Sequence, residues 1–470
     1  MTVIIGLEIH CQLNTQTKLF CGCSTDYRDD GPNTHVCPVC LGLPGSLPAI
    51  NRQAVLYALR VAKALHCEVP EISEFARKNY FYPDLAKAYQ ITQHDRPLAV
   101  GGYVDIESEE GKTRRITLTR IHMEEDPGRL VHMGSPDRGR YTLVDYNRSG
   151  IPLIEIVTEP ELTSPKEARR FLNKLRATLE YLGVYDSDRE GSLRVDANIS
   201  IKGHERVEVK NITSYKGVEK ALTFEITRQR AMIRRNAPIA RETRHFQEAR
   251  GVTTSARSKE FEHDYRYFPD PDLALLQVSS WVDAIELPEL PDARRDRFME
   301  EYGLSANHAR TLTGDIRLAE FFEEIASDMP DIAAPWTADV LLGELYYRDM
   351  PVTEVPIPLF RALLFELKQE RITDSSGVAV LRTILNQVKE GSSPEMPAAI
   401  IERLGLGKEE GESFQEIVAS VLADHDAAVA DYRAGKAGAI NFLVGQVMKA
   451  TRGRADPKEI ARIIEALLQE

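Results

Sequence analysis

Strict alternation of apolar and polar side chains is the pattern that most restricts how this chain can fold. In GLEIHCQL, Ile5, Leu7, Ile9, Cys11 and Leu13 fall on one face of an extended strand, and Glu8, His10 and Gln12 on the other. Successive side chains of a strand point to opposite sides, so the two sets separate cleanly. The pattern returns in GSLRVDANISI: Leu193, Val195, Ala197, Ile199 and Ile201 form the apolar face, opposed by Arg194, Asp196, Asn198 and Ser200. In RVEVKNI, Val207 and Val209 point one way, Glu208 and Lys210 the other. A slip of one residue would drive each of these charges into the core. The segments therefore predict a sheet with one buried face, as antiparallel sheets commonly have.

Two further segments do not fit a loosely solvated outer face. In IPLIEIVTEP, Glu155 interrupts an apolar run and shares its face with Leu153 and Val157. A carboxylate there is costly unless it is paired or holds a cation. In TRIHMEEDPG, three consecutive acids follow a strand-like stretch, and Asp126-Pro127-Gly128 reads as a turn. The inventory Glu8, His10, Glu125, Glu155, Asp196, Asn198, Glu208 and Lys210 can be a solvated face. It can equally be an oxygen-rich site for Mg²⁺ and nucleotide phosphates. No Walker A loop, no GxGxxG turn before a helix and no kinase motif set occurs, so phosphoryl chemistry would need another scaffold.

Four of the six cysteines cluster as Cys21-x-Cys23 and Cys37-x-x-Cys40. Such pairs close tetrahedral thiolate sites, and a site with all four positions taken by protein is structural. The loop over 21–40 is polar and cannot hold itself by burial, so structural zinc is expected, with incidental free thiols as the alternative. Cys11 and Cys67 read as small apolar residues. FARKNYFYPDLAKAYQITQ interleaves Arg77, Lys78 and Lys87 with Tyr80, Phe81, Tyr82 and Tyr89, and DYRYFPDPDL repeats the theme around Arg266. Cations beside aromatics suit base stacking and phosphate contact, or simply a core with a charged rim.

The chain of 470 residues has a net charge of −13, which argues against a dedicated nucleic-acid binder but leaves room for local basic patches. Seven arginines against two glutamates lie in 226–250, and five cations with no acid in 432–455. No apolar run reaches membrane-spanning length and no leader pattern is visible, so no membrane and a cytoplasmic location are expected. SPKEARRFLNKLRATLEYLGV predicts a helix capped by Ser164 and ended by Gly183, and an amphipathic helix is expected at about 215–236. ELPELPDARRD marks a boundary, after which the pattern is helical. The stretch 389–397 reads as a linker.

Together the stretches GLEIHCQL, RKNYFYPDLAKAYQITQ, TRIHMEEDPG, LVDYNRSGIPLIEIVTEP, EGSLRVDANIS, VEVKNI, DYRYFPDPDL and NFLVGQVMKATRGRADP resemble the GatB/GatE family of tRNA-dependent amidotransferase subunits, over nearly the whole chain. The length leaves no room for the inserted domain of the E-type members, so the resemblance is to the B type. It implies an α+β fold: a glutamine-synthetase-like catalytic cradle on an antiparallel sheet at 1–292, an all-α helical domain at 293–406 and a small all-α YqeY-like tail at 407–470. The implied reaction is ATP-dependent phosphorylation of the Asp or Glu side chain on misacylated Asp-tRNA(Asn) or Glu-tRNA(Gln). Amidation follows, with ammonia from a partner glutaminase, the A-type subunit, and a small C-type subunit completes a GatCAB heterotrimer. This is carbon–nitrogen ligase chemistry with glutamine as amido donor. By similarity His10, Glu125 and Glu155 ligate Mg²⁺, while Glu8, Asp196 and Glu208 fall at active-site positions. Arg194, Asn198 and Lys210 are expected beside the nucleotide. Alternation would put Glu125 on the face of Ile121 and Met123, so the strand is expected to end or bulge before Glu125. The rival readings are a glutamine-synthetase-like small-molecule amide ligase and a non-catalytic tRNA-binding subunit.

Overall fold

In the computed structural model the described residues are 1–134, 141–189, 191–258, 265–408, 414–434, 436, 438–451 and 457–469. Residues 452–456 of the tail stretch TRGRADP, including the cations Arg452 and Arg454, and the first residues of EGSLRVDANIS and DYRYFPDPDL lie outside them. The chain divides into two compact units, Met1–Pro291 and Asp292–Glu470, and its class is α+β.

The first unit contains fourteen described strands: β1 (Val3–Gln12), β2 (Ala76–Asn79), β3 (Tyr89–Thr92), β4 (Ala99–Val100), β5 (Tyr103–Glu107), β6 (Thr113–Glu125), β7 (Arg129–Met133), β8 (Tyr141–Asp145), β9 (Pro152–Thr158), β10 (Leu193–Ile201), β11 (Val207–Ile212), β12 (Glu242–Gln247), β13 (Val252–Ser258) and β14 (Phe268–Pro269). Nine form one sheet in the order β13-β12-β11-β10-β1-β9-β6-β4, with β5 also paired to β6. The pairings are antiparallel except β11 with β12, which is parallel. A second sheet, β14-β2-β3, joins the two cation-and-aromatic segments.

Alternation sorts the main sheet as expected. Ile5, Leu7, Ile9 and Cys11 of β1 and Val195, Ala197 and Ile199 of β10 are buried in one apolar core. Helices α1 (Arg52–Ala64), α2 (Pro165–Tyr181) and α3 (Tyr215–Arg234) contribute to that core through Leu59, Phe171, Leu175 and Leu222. Ser164 caps α2 by accepting from Glu167 N at 3.2 Å, and Pro165 opens its first turn, where a missing N–H costs nothing. Helices on the apolar side leave the charged side of β1, β6, β9, β10 and β11 free to build a site. A short helix, α4 (Ser279–Asp283), closes the unit.

The second unit is helical: α5 (Pro291–Glu301), α6 (Ala306–Thr313), α7 (Ile316–Ala326), α8 (Pro330–Pro335), α9 (Leu342–Arg348), α10 (Ile357–Lys368), α11 (Asp374–Lys389), α12 (Pro397–Leu404), α13 (Gln415–Asp424), α14 (Asp426–Arg433), α15 (Gly438–Ala450) and α16 (Pro457–Gln469). One apolar cluster runs from Phe298 to Leu406 and a separate one from Phe414 to Ile464. The stretch 389–397 connects α11 to α12, and α12 ends on Gly405 at φ 59°, a left-handed cap that glycine adopts without strain. Among the described residues no helix is long and apolar enough to cross a membrane.

Candidate active site

The register of four strands builds the site. Antiparallel pairing of β1 with β10 and β9, and of β9 with β6, places Arg194, His10, Glu155 and His122 in one row. The next row aligns Asp196 with Glu8, Val157 and Arg120. Asn198 pairs with Glu208 one strand further out. Side chains opposite one another on neighbouring strands lie about 5 Å apart at Cβ, so rows of charge become contacts.

Glu155 is the centre of the first row. Its Oε2 lies 3.3 Å from both His10 Nε2 and His122 Nε2. Burial opposes its ionisation, but the paired imidazoles of His122 and His10 prevail and hold the carboxyl well below its ordinary range. Burial likewise disfavours an imidazolium at His10, yet the hydrogen bond and charge of Glu155, with Glu124 behind, lift it to about 9. Glu124 Oε1 stands 3.8 Å from His10 Nε2. Donor atoms of His10, Glu124 and Glu155 all lie within 4.8 Å of one another. Two carboxylates and one imidazole fit a hard divalent cation such as Mg²⁺, and the nitrogen donor extends the fit to softer ions.

Glu125 is not part of this group. β6 stays paired through Glu125, opposite Pro152, and its register shift falls earlier, between Leu118 and Arg120. The expected bulge before Glu125 is therefore absent, and plain alternation sends Glu125 to the face of Ile121 and Met123. There its carboxylate pairs with Lys87 and accepts from Ile91 N at 2.8 Å. The position expected of Glu125 is taken by its neighbour Glu124.

A second cluster adjoins the first. Donor atoms of Glu8, Asp196 and Glu208 also lie within 4.8 Å of one another. Here the cation is built in: Lys210 Nζ is 2.6 Å from Asp196 Oδ2 and 3.1 Å from Glu208 Oε1. Burial works against the Lys210 charge, but Asp196 and Glu208 outweigh it. Asn198 donates to Glu8 Oε1 at 2.8 Å, and Thr243 donates to Glu208 Oε2 at 3.0 Å. Glu8 titrates above its ordinary value, through burial first and then the nearby Glu155 charge. Arg194 is committed to the buried Asp126, Nη2 to Oδ1 2.7 Å.

The sequence pattern does not single out His122, Glu124 or Asp126 as site residues, and it gives Lys78 only as one of the cations set among aromatics. His122 and Glu124 are recoverable from it, since the count that puts Glu125 with Ile121 puts these two on the polar face. Lys78 depends on tertiary pairing. Its Nζ lies 4.8 Å from the Tyr265 ring centre, and burial lowers its charge affinity less than Glu124 and its other neighbours raise it. The arginine-rich window proves partly structural: Arg228 pairs with Glu225 and Glu242, and Arg244 with the same two acids. In the tail, Lys436 pairs with Asp431.

The four cysteines converge as well. Their Sγ atoms lie within 4.8 Å of one another, none is in a disulfide, and Cys37 and Cys40 stand 3.9 Å apart at sulfur. Zinc–thiolate bonds of about 2.3 Å set tetrahedral sulfur separations near 3.8 Å, so the donor set fits zinc. A cavity of about 120 Å³ lies between this loop and the Lys87–Glu125 pair. Cys11 is fully buried in the core, and Cys67 points its thiol at Gly101 O, 3.1 Å away.

Comparison with known proteins gives the family. Residues 3–283 match the GatB/GatE catalytic domain and residues 320–468 the GatB domain. Proteins named as the B-type subunit of aspartyl/glutamyl-tRNA(Asn/Gln) amidotransferase are similar along their whole length. The Methanospirillum hungatei protein is 64% identical across 100% of this chain and 99% of its own. That of Methanoregula boonei is 65% identical across 100% and 98%, and that of Haloquadratum walsbyi 48% identical across 100% and 97%. With its charged sheet face, its four-cysteine loop and these matches, the chain belongs to the GatB/GatE family.

Proposed function

We propose that this chain is the B-type subunit of a tRNA-dependent amidotransferase and carries its kinase and transamidase centre on the charged face of the main sheet. The observation that carries the reading is the Arg194–His10–Glu155–His122 row, with Glu124 beside it. Two carboxylates and one imidazole converge there within reach of a single point, a donor set that a hard divalent cation completes. A side-chain carboxylate is a poor electrophile because oxide is a poor leaving group. Transfer of the γ-phosphoryl of ATP to the carboxylate oxygen releases ADP and gives an acyl phosphate. Ammonia then adds to its carbonyl carbon, and phosphate leaves with the C–O electron pair as the amide forms.

His10, Glu124 and Glu155 would hold Mg²⁺, which when bound offsets the charge of the two anions brought together. The chain's own work is positional. Lys210, held by Asp196 and Glu208, keeps a fixed positive charge beside that group. Arg194 and Asn198, committed to Asp126 and Glu8, position the acids around them. The ammonia would come from a partner glutaminase, with a small third subunit completing the assembly. Zinc on Cys21, Cys23, Cys37 and Cys40 would be structural. We further divide the chain into a cradle at 1–292, a helical domain at 293–406 and a tail at 407–470, consistent with the two separate apolar clusters of the second unit.

The test is ADP release by the assembled enzyme with Mg²⁺, ammonium and either Asp-tRNA(Asn) or Glu-tRNA(Gln). Turnover that requires a misacylated tRNA is the expected result and names the substrate. Turnover that follows a small free carboxylate instead would make this a small-molecule ligase. No turnover with tRNA still bound would give the chain a binding role only. The cation set has its own test. Mg²⁺ is expected to raise the thermal midpoint of the wild-type chain and of Glu125→Gln, and to leave Glu124→Gln unmoved. The reverse pattern would return Glu125 to the site.

A further inference from the structure

We propose that Lys18 is a built-in counter-cation of the four-cysteine centre, its buried ammonium offsetting part of the negative charge that four thiolates place around a divalent metal. This rests on the reading of those cysteines as a metal site. Lys18 is among the largest fully buried side chains of the described residues and is entirely shielded from solvent. Lysine is almost never buried so completely unless it is paired. Its Nζ donates to His35 O at 2.7 Å, to Tyr146 O at 3.4 Å and to Cys40 Sγ at 3.7 Å. Two of these partners are carbonyl dipoles. Cys40 is the one partner able to carry a full negative charge, and among the described residues no carboxylate pairs with Lys18.

The backbone fixes this placement. Lys18 N donates to Cys23 O at 3.0 Å, so the residue touches the first cysteine pair through its main chain and the second through its side chain. Leu19 N donates to Gly150 O at 2.8 Å. Gly150 sits at φ +88°, and a Cβ there would stand 3.4 Å from Lys18 Cδ and 3.6 Å from Cys40 Cβ. The left-handed φ favours glycine here, and the chain at this point lies in van der Waals contact with the lysine stem and with Cys40. Four thiolates around a divalent ion leave two excess negative charges in a half-buried loop. An ammonium at the rim of that shell reduces the excess to one and holds its charge in a fixed position.

The experiment compares the full chain with Lys18→Gln and Lys18→Met, measuring zinc content, zinc affinity by chelator competition and the reduction potential of the iron-loaded centre. Both variants are expected to bind zinc about 10–100-fold more weakly. Their iron potentials should shift negative, because loss of a nearby cation favours the less negatively charged oxidised form. A purely steric role would not move the potential in the same direction in both. Should the variants fold only with metal, their rate of zinc loss to excess chelator replaces the affinity, and faster loss than wild type is expected. Unchanged affinity or loss rate with an unchanged potential would overturn the role of Lys18 and leave the metal site standing. Wild-type protein that binds no stoichiometric zinc would instead overturn the metal reading itself.

Discussion

Replacing Glu155 by glutamine is expected to lower tRNA-dependent ADP formation by about a thousandfold, or about 4 kcal/mol of barrier. The substitution keeps the shape of the side chain and removes its charge. Among the described residues Glu155 is the one carboxylate shared by two imidazoles, with His10 and His122 each 3.3 Å from the same oxygen. A carboxamide cannot replace that anion. It would leave His10 without the partner that keeps it in place and would take an anionic donor from the group formed with Glu124. Because Glu155 sits on a strand paired on both sides, the backbone should hold the neutral variant in the same fold. Circular dichroism and tRNA binding are expected to match wild type while Mg²⁺ no longer raises the thermal midpoint. Activity within tenfold of wild type would remove Glu155 from the centre of the chemistry and the row with it. His122→Asn, which acts through Glu155, should cost about 10–100-fold in the same assay.

How much of this is legible in the sequence depends on the range of the interactions involved. The faces of β1, β10 and β11 can be read because alternation is a local property, and the structure keeps each assigned residue on its side. The helix at 165–181 is legible from its cap and proline, which act within one turn. The partnership of Cys21, Cys23, Cys37 and Cys40 is legible because thiol pairs at short spacing have few other uses in a polar loop. Glu125 shows where the reading fails. Alternation points to Glu124, and only an expected bulge brings Glu125 in its place; the continuous pairing of β6 with β9 makes the count the better guide. Lys18 has no sequence signal, since a lysine in a polar stretch reads as exposed and only the closing of the cysteine loop buries it. The ion pairs that occupy Arg228 and Arg244 are equally hidden. They join helix α3 to strand β12, and a charge run in sequence does not reveal which charges meet across elements.

Removal of the Asp126 carboxylate is expected to destabilise the first unit by about 3–5 kcal/mol at neutral pH, the usual cost of stripping one partner from a buried ion pair. Asp126 is fully buried, accepts from Arg194 at 2.7 Å and Gln12 at 2.8 Å, and has Arg148 Nε at 3.7 Å. Burial alone would raise its pKa, but Arg194 and Arg148 outweigh it and hold the carboxyl below its ordinary value. A carboxylate depressed by folding contributes stability that is present above its unfolded pKa of about 3.9 and is lost as pH falls through the folded value. The difference between wild type and Asp126→Ala should therefore be largest near neutrality and shrink as the solution is acidified below pH ~4. Trp281 is in the first unit and Trp336 in the second, and these are the only two tryptophans, so Trp281 fluorescence in a Trp336→Phe background follows the first unit alone. A urea midpoint within error of wild type at neutral pH would mean that Arg194 finds another partner at no cost. The available partners are Glu124 and Asp196, whose charges already act on it. That outcome would carry its own penalty, because an arginine turned toward Glu124 and Asp196 would neutralise the acids meant for a cation. In that case stability would be kept and Mg²⁺ binding lost. Either way, Asp126 holds the Arg194 charge at the edge of the row and out of its centre.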